Sequence, residues 1–394
     1  ANQALINLIR RWNQTMKINI LHLLLLPKNI DLNVVKVNLD SLLEASFVFK
    51  QLYELEIAVK PIISAIETND ITIDSKWLNN EIKRINQQFN VSLGLDALIT
   101  ILNEEKHQGN TRAGKIKLYL LLWVKPFVSA SVNQAGSFTI KGEWHLYSSY
   151  SGRMTAKKMP LTSIPKSMRK YAISSSTYKE LWSIDLNQAE LRFLAYYSND
   201  QFLLNHFSTD QDMYSYIGRL ITPYNRNEQP ERLRNICKTF FLAWLYGAST
   251  NTLMKKLRKN DFDITSVDVN HILEQLELTI PQAVHYLDLC SSQNEVQTFF
   301  GRVMPLVKMK ESTKRNFALQ SSVATAIKLL MLEAYKLNLD IVHVIHDELW
   351  IEVNPSNSNW QKLLQQNFED TINRYHNDFP LNNILKFNQL KGVC

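Results

Sequence analysis

The chain has 394 residues, is 45% hydrophobic and carries a formal net charge of +7. That length suits two or three domains or one large multi-lobed body, and the modest excess of Lys and Arg fits a polyanionic partner. Cys237, Cys290 and Cys394 are its only cysteines, an odd and scattered set. This argues against a disulfide framework or a zinc site and for a reducing, intracellular compartment.

Residues 1–54 are mostly helix-forming and carry no motif of clear meaning. The longest apolar run, Ile18–Leu26, is broken by Asn19 and His22 and stops at Pro27. It is too short to cross a bilayer and lacks a signal-peptide cleavage pattern, so no membrane partner is expected. Asp74 or Ser75 can cap a helix in which Leu78, Ile82, Ile85 and Phe89 recur at helical spacing. The polar stretch "NEEKHQGNTRAGKIK" (103–117) reads as a loop, either a solvated linker or a phosphate contact. "GSFTIKGEWHLY" (136–147) alternates and predicts a hairpin. "ELWSIDLNQAELRFLAYYS" (180–198) predicts a short strand, Leu181–Ile184, turning into a helix near Asn187. Helices fill 200–300, and another spans 316–336. A hairpin around Asp347 follows, then a last helix and a C-terminal tail. The simplest topology is one sheet built from 136–185 and 341–353 with a helical insertion.

Asp185 ends one predicted strand. Asp347 sits at the tip of the hairpin "VIHDELWIEV" (344–353), whose turn has no Gly, against the usual Asn-Gly or Asp-Gly preference. If the two strands are neighbours, the carboxylates converge, and two buried like charges call for a cation between them. Mg²⁺ suits hard oxygen ligands and leaves positions for phosphate. Two such ions about 3.5–4 Å apart would activate a hydroxyl and steady a leaving oxygen. Taken singly, Asp185 would equally cap a helix and Asp347 fill a turn. In "RNICKTFFLAWLYG" (234–247), Arg234, Lys238, Leu242 and Tyr246 form one helical stripe. Two cations there suit a triphosphate, and the apolar and aromatic residues beyond suit a sugar and base. The same stripe also fits an ordinary helix surface.

These segments resemble the family A DNA polymerases, the DNA polymerase I family. "DLNQAELR" (185–192) is similar to DYSQIELR, "RNICKTFFLAWLYG" to RxxxKxxxFxxxYG, and "VIHDELWIEV" to VHDE. In the right order stand "SGRMTAKKMPLTSIP" (151–165) for TGRLSSxxPNLQNIP, "VQTFFGRVMPL" (296–306) for TxxGRRRxLP, "NFALQSSVATAIK" (316–328) for NxxxQGxAADxxK, and "IETNDITIDSKWL" (66–78) for MExNGIxID. The resemblance implies metal-binding roles for Asp185 and Asp347 and a secondary catalytic role for Glu348. It implies that Arg234 and Lys238 grip phosphates and that Tyr246 stands at the template-base position. Gln188 and Glu190 would line the incoming sugar, with Glu190 the steric gate against a 2′-hydroxyl. Arg153, Asn316 and Gln320 would touch the minor groove at the primer end, with His346 beside the terminus. Minor-groove acceptors are shared by all base pairs, which suits an enzyme that accepts every correct one.

The chain departs from the family in four places: Leu242 replaces an aromatic, Tyr214 a His, Asn187 a Ser and Ser312 an Arg. Tyr214 keeps one neutral hydrogen bond to offer the nucleotide. Leu242 predicts weak dNTP binding and poor use of chain terminators.

The resemblance implies an α+β, right-hand fold. The expected parts are an N-terminal helical segment (1–54), a thumb (55–135), a palm (136–200 and 301–394, with the tail) and fingers (201–300). The expected activity is template-directed extension of primer-template DNA with dNTPs, using two Mg²⁺ ions with Mn²⁺ as a substitute, by a monomer. Residues 1–150 hold no Asp-x-Glu triplet of the kind a 3′–5′ exonuclease uses, so no proofreading is expected. A single-subunit RNA polymerase is the nearest rival, disfavoured by Glu190 and the Asp347-Glu348 pair. A non-catalytic DNA-binding scaffold is the other rival, and the presence of both aspartates argues against it.

Overall fold

The computed structural model describes residues 47–391 apart from 90–93, 95–96, 98–118, 129–135, 147–148, 150, 158, 210–212, 225–229 and 307–308. The expectations for residues 1–46 and for the loop at 103–117 lie outside the described residues.

The polypeptide opens with helix α1 (Phe47–Thr68), strand β1 (Ile71–Asp74) and helix α2 (Lys76–Phe89). The Asp74 carboxylate accepts the Lys76 N–H at 2.8 Å, so the anticipated cap is in place. The line of α2 that faces the core is Trp77, Glu81 and Ile85, with Leu78 and Ile82 at its margin. Strands β2 (Ser137–Ile140) and β3 (Glu143–His145) follow. They do not form the expected hairpin. β2 pairs with β1, whose other edge takes β5 (Ala172–Ile173), while β3 pairs with β4 (Thr155–Lys157). Alternation marks a strand's two faces but not its neighbour, and here the partner lies more than sixty residues upstream.

The central sheet has four antiparallel strands in the order β11-β6-β10-β9. They are β6 (Glu180–Leu186), β9 (Asp340–Ile345), β10 (Glu348–Val353) and β11 (Leu385–Leu390). Of the first predicted strand block only its end, β6, joins the 341–353 hairpin in it; β2 and β5 pair with β1 and β3 with β4 in separate sheets, so the single sheet expected from both blocks does not form. The segment taken for a tail instead supplies an edge strand of the central sheet, β11, which hydrogen-bonds along the whole of β6. On one face Ile184, Leu349 and Ile351 are fully buried, each burial stabilising by roughly 1.5–3 kcal/mol.

Helix α10 (Glu311–Lys336) packs against that sheet and against α1. It is long and apolar enough to cross a membrane, but 89% of its apolar window is buried inside the protein. It also carries three buried charges in its surroundings. Lys328 of α10 donates to Glu56 of α1 at 2.6 Å, both side chains almost fully inaccessible. Arg302, also buried, adds a second cation near Glu56, and burial is what lowers the pKa of both cations most.

Between β6 and α10 the chain is helical: α3 (Ala189–Ser198), α4 (Gln201–Ser208), α5 (Met213–Ile221), α6 (Pro230–Leu245), α7 (Thr250–Arg258), α8 (Ser266–Thr279) and α9 (Pro281–Ser292). A short ribbon, Glu295–Gln297 with Val303–Pro305, leads back to α10. Helix α11 (Trp360–Asn373) packs on α10 before the chain enters β11.

Candidate active site

The site begins with strand register. Glu348 lies directly across from Asp185, and Lys386 of β11 lies across from Asp185 on its other side. Paired residues share a face of a sheet, so these three charges stand in one row. Asp347 belongs to the two-residue turn between β9 and β10, and its carbonyl accepts the Leu186 N–H at 3.0 Å. The turn without Gly is made by His346, which takes φ +53. A left-handed backbone is uncommon outside Gly, though His tolerates it better than most residues. Strain of this kind collects at functional sites.

Asp185 is a residue of β6, not a helix cap. The helix that follows starts at Ala189, with Gln188 as its N-cap residue at φ 54 and no side-chain cap bond. The Oε1 atom of Gln188 is buried and accepts no hydrogen bond. Arg192 locks this strand end. Its guanidinium donates to the carbonyls of Asn187, Pro380, Asn382 and Asn383. The Asn187 N–H adds a bond to the Ile384 carbonyl at 2.8 Å. The loop before β11 thereby fixes the backbone two residues beyond Asp185.

The electrostatics follow from crowding. Burial first, then the neighbouring Asp347 and Glu348 carboxylates, push Asp185 up to about 7, and Lys238 and Lys386 only partly oppose this. Burial also raises Asp347 and Glu190, again against Lys238 and Arg153. Thus α6 brings Lys238 within electrostatic reach of the acids. Arg234, one turn earlier, lies with its guanidinium 5.1 Å above the Tyr214 ring. Tyr214 itself is buried and touches Phe241 edge-on, so it supports Arg234 from below. Leu242 and Tyr246 are half-buried on the same helix side, whereas Phe241 and Trp244 turn into the core. Gly247, at φ +79, ends this helix against Ser312 and Arg315 of α10.

Arg153 donates to Glu190 at 3.0 Å, joining two predicted site residues. Burial and the nearby Arg153 lower the pKa of His346, which favours a neutral imidazole. Asn316, buried, and Gln320, half-buried, lie one turn apart on α10. Glu348 is more committed than the sequence suggested: Arg169, Ser183 and Trp350 all donate to its carboxylate. None of these three donors, nor Lys386 or Arg192, was singled out from sequence. Arg192 closes the "DLNQAELR" stretch and Trp350 stands two residues after Glu348, so both had a local signal; Ser183 and Lys386 become neighbours through the sheet, and Arg169 reaches in from the short helix Lys166–Arg169.

The donor set suits a hard divalent cation. Asp185 and Asp347 offer carboxylate oxygen, and the raised pKa of Asp185 records negative charge that a cation would relieve. Among the described residues no group of three or more His, Cys, Asp or Glu side chains could hold a metal by itself. Mg²⁺ binds through one or two carboxylates plus water and substrate phosphate.

The comparisons with known proteins point the same way. The family model described as DNA polymerase family A matches residues 120–387. DNA polymerase I of Mycobacterium bovis is 23% identical over 231 residues, which is 52% of this chain and 25% of that protein. DNA polymerase I of Helicobacter pylori is 25% identical over 272 residues, 61% of this chain and 29% of the relative. The chain therefore spans about a quarter of the length of such curated relatives. Among solved structures, the POL domain of Pol1 from M. smegmatis, in complex with DNA primer-template and dNTP, superposes with a TM-score of 0.64 at 20% identity. The match covers 86% of this chain and 70% of that one, and it shows that the two share the right-hand α+β fold.

Proposed function

The chain belongs to DNA polymerase family A, and from that premise we propose that it extends a primer 3′-hydroxyl with dNTPs under the direction of a DNA template. The observation that carries this reading is the convergence of Asp185 and Asp347 at one end of the central sheet, beneath the Lys238 side of α6. Family A polymerases depend on divalent metal. Two Mg²⁺ ions, with Mn²⁺ as a substitute, would be held by Asp185 and Asp347 and would supply charge neutralisation and activation of the attacking hydroxyl. Arg234 and Lys238 grip the triphosphate, and Lys238 steadies negative charge as the pyrophosphate leaves. Tyr214 holds the Arg234 guanidinium flat from beneath. Glu190, fixed by Arg153, bars a 2′-hydroxyl by bulk, and Gln188 lines the incoming sugar beside it. Leu242 and Tyr246 present the surface for sugar and base. Asn316, Gln320 and His346 contact the primer end.

In the same proposal residues 201–300, with α4 to α9, form the fingers, and residues 136–200 and 301–394, with the central sheet, α3 and α10, form the palm. The thumb is assigned to residues 55–135, whose first elements also serve the body: α1 packs on β9 and α10, and β1 pairs with β2 and β5. Cys237 and Cys290 are buried and take part in no disulfide among the described residues, which suits a reducing intracellular compartment. Primer extension on a DNA template with Mg²⁺, comparing dNTPs with rNTPs, tests the whole reading. Extension with dNTPs is expected. No extension would leave a DNA-binding scaffold, and equal use of rNTPs would favour an RNA polymerase.

A further inference from the structure

Glu348 adjoins Asp347 in sequence and faces Asp185 across the sheet. On position alone it would be a third metal ligand. Its hydrogen bonds say otherwise. An ionised carboxylate has about four lone-pair sites. Oε1 of Glu348 accepts the Ser183 hydroxyl at 2.6 Å and the Trp350 indole N–H at 2.7 Å. Oε2 accepts Arg169 at 3.1 Å. Both sites on one oxygen are used, and one on the other. Ser183 and Trp350 face each other across β6 and β10, one pleat farther from the tip than the Asp185–Glu348 pair. They therefore draw the carboxylate back along the sheet, away from Asp347.

The donors are themselves immobile. Trp350 is fully buried and Ser183 nearly so. The Trp350 ring meets His343 edge-on at 5.3 Å, and His343 packs on Trp144 at 5.4 Å. His343 is pinned in turn by the Leu161 carbonyl at 3.1 Å. An indole wedged in this way cannot swing aside to release its acceptor.

We propose that Trp350 and Ser183 are positioning residues that withhold Glu348 from the metal pair, so that Asp185 and Asp347, and not Glu348, are offered to it as ligands. The inference rests on the two-metal reading of the site. Its consequence has a distinctive sign. Releasing Oε1 adds a third mobile carboxylate to the site, so metal should bind more tightly while turnover falls, because a cation held too well by protein has fewer positions for substrate phosphate. A purely structural role for these two residues would lower stability and leave metal affinity alone.

The test is Mn²⁺ binding to the full chain without nucleotide, read by electron paramagnetic resonance of free Mn²⁺, alongside kcat for primer extension. Ser183→Ala and Trp350→Phe should each bind Mn²⁺ more tightly, by roughly tenfold for one added carboxylate ligand, with a lower kcat. Adding Glu348→Gln to either variant should return Mn²⁺ affinity to the parent value. Trp350→Phe leaves a void, so Ser183→Ala, a small change, carries the test if the former does not fold. Unchanged or weaker Mn²⁺ binding in folded Ser183→Ala would overturn the proposal. Asp347→Asn separates it from its premise: if that variant binds Mn²⁺ as the parent does, the two-metal reading itself is wrong.

Discussion

Two of the groups of buried charge among the described residues are built on opposite plans. Beneath α10, Glu56 sits between Lys328 and Arg302, so one carboxylate is matched inside the core by more than enough positive charge. At the sheet tip, Asp185, Asp347 and Glu190 crowd together, and the pKa values of all three are raised chiefly by burial. Lys238 and Arg153, from outside the sheet, and Lys386 of β11 compensate only in part. The first group closes on itself and joins α1 to α10. The second is left open, with an electrostatic need that an incoming cation would meet. Buried charges that are already paired are a matter of architecture; buried charges that await a partner mark a site of chemistry.

The sharpest way to break this contrast is to neutralise each group. Asp185→Asn or Asp347→Asn should reduce extension by roughly 10³-fold or more, while primer-template binding, dominated by phosphate contacts, stays near the parent level. A gel-based extension assay with a parallel binding titration checks both halves. Near-normal extension by either variant would remove the distinction between the two groups.

Glu56→Gln should do the reverse. It leaves Lys328 and Arg302 buried against each other, at a cost of about 3–5 kcal/mol, measurable by urea unfolding. The soluble fraction should retain metal dependence like that of the parent, because the change lies away from the acids.

The third effect separates the groups by pH. Asp185 titrates near 7 in the folded protein, against an ordinary value of 3.8. As pH rises from about 4, the unfolded chain loses this proton first, so stability falls until about pH 7 and then levels off. Asp185→Asn removes its own share of that dependence and leaves the share of Asp347 and Glu190. With metal chelated, it should exceed the parent in stability by about 2–3 kcal/mol at roughly pH 8, with a smaller gap at roughly pH 5. A parent protein no less stable than the variant at the higher pH would show that the acids are compensated after all.

The smallest effect concerns the surface above the open group. Leu242→Phe restores a flat ring where the chain has an aliphatic side chain, and base–aromatic stacking is worth about 1–3 kcal/mol. The dNTP concentration for half-maximal extension should fall. Leu242→Tyr should do the same and raise dideoxynucleotide use, since a phenol can stand in for the missing 3′-hydroxyl. Steady-state extension at varied dNTP tests this, and no change in either variant would place Leu242 away from the nucleotide.

Much of the site could be read before any coordinates. Asp185, Asp347, Arg234 and Lys238 stand in local patterns, a strand end, a hairpin tip and a helical stripe, and each pattern survives in the fold. The departures came where the neighbour is distant in sequence. Strand β2 took β1 as its partner instead of β3, and β11 was hidden in what looked like a tail although it sets Lys386 beside Asp185. The restraint on Glu348 was invisible too, because Ser183, Arg169 and Trp350 converge on it from three places in the chain.

The sequence by itself determined which residues have the chemistry: two carboxylates at strand ends, two cations a turn apart, and the ordered motifs of one polymerase family. These are short-range properties, set by periodicity and residue type within a few positions. Only the tertiary structure decided which carboxylates stay uncompensated and which are tied down. That depends on strand order and register, where a shift of one residue turns every side chain to the other face, and on burial, which no local pattern fixes.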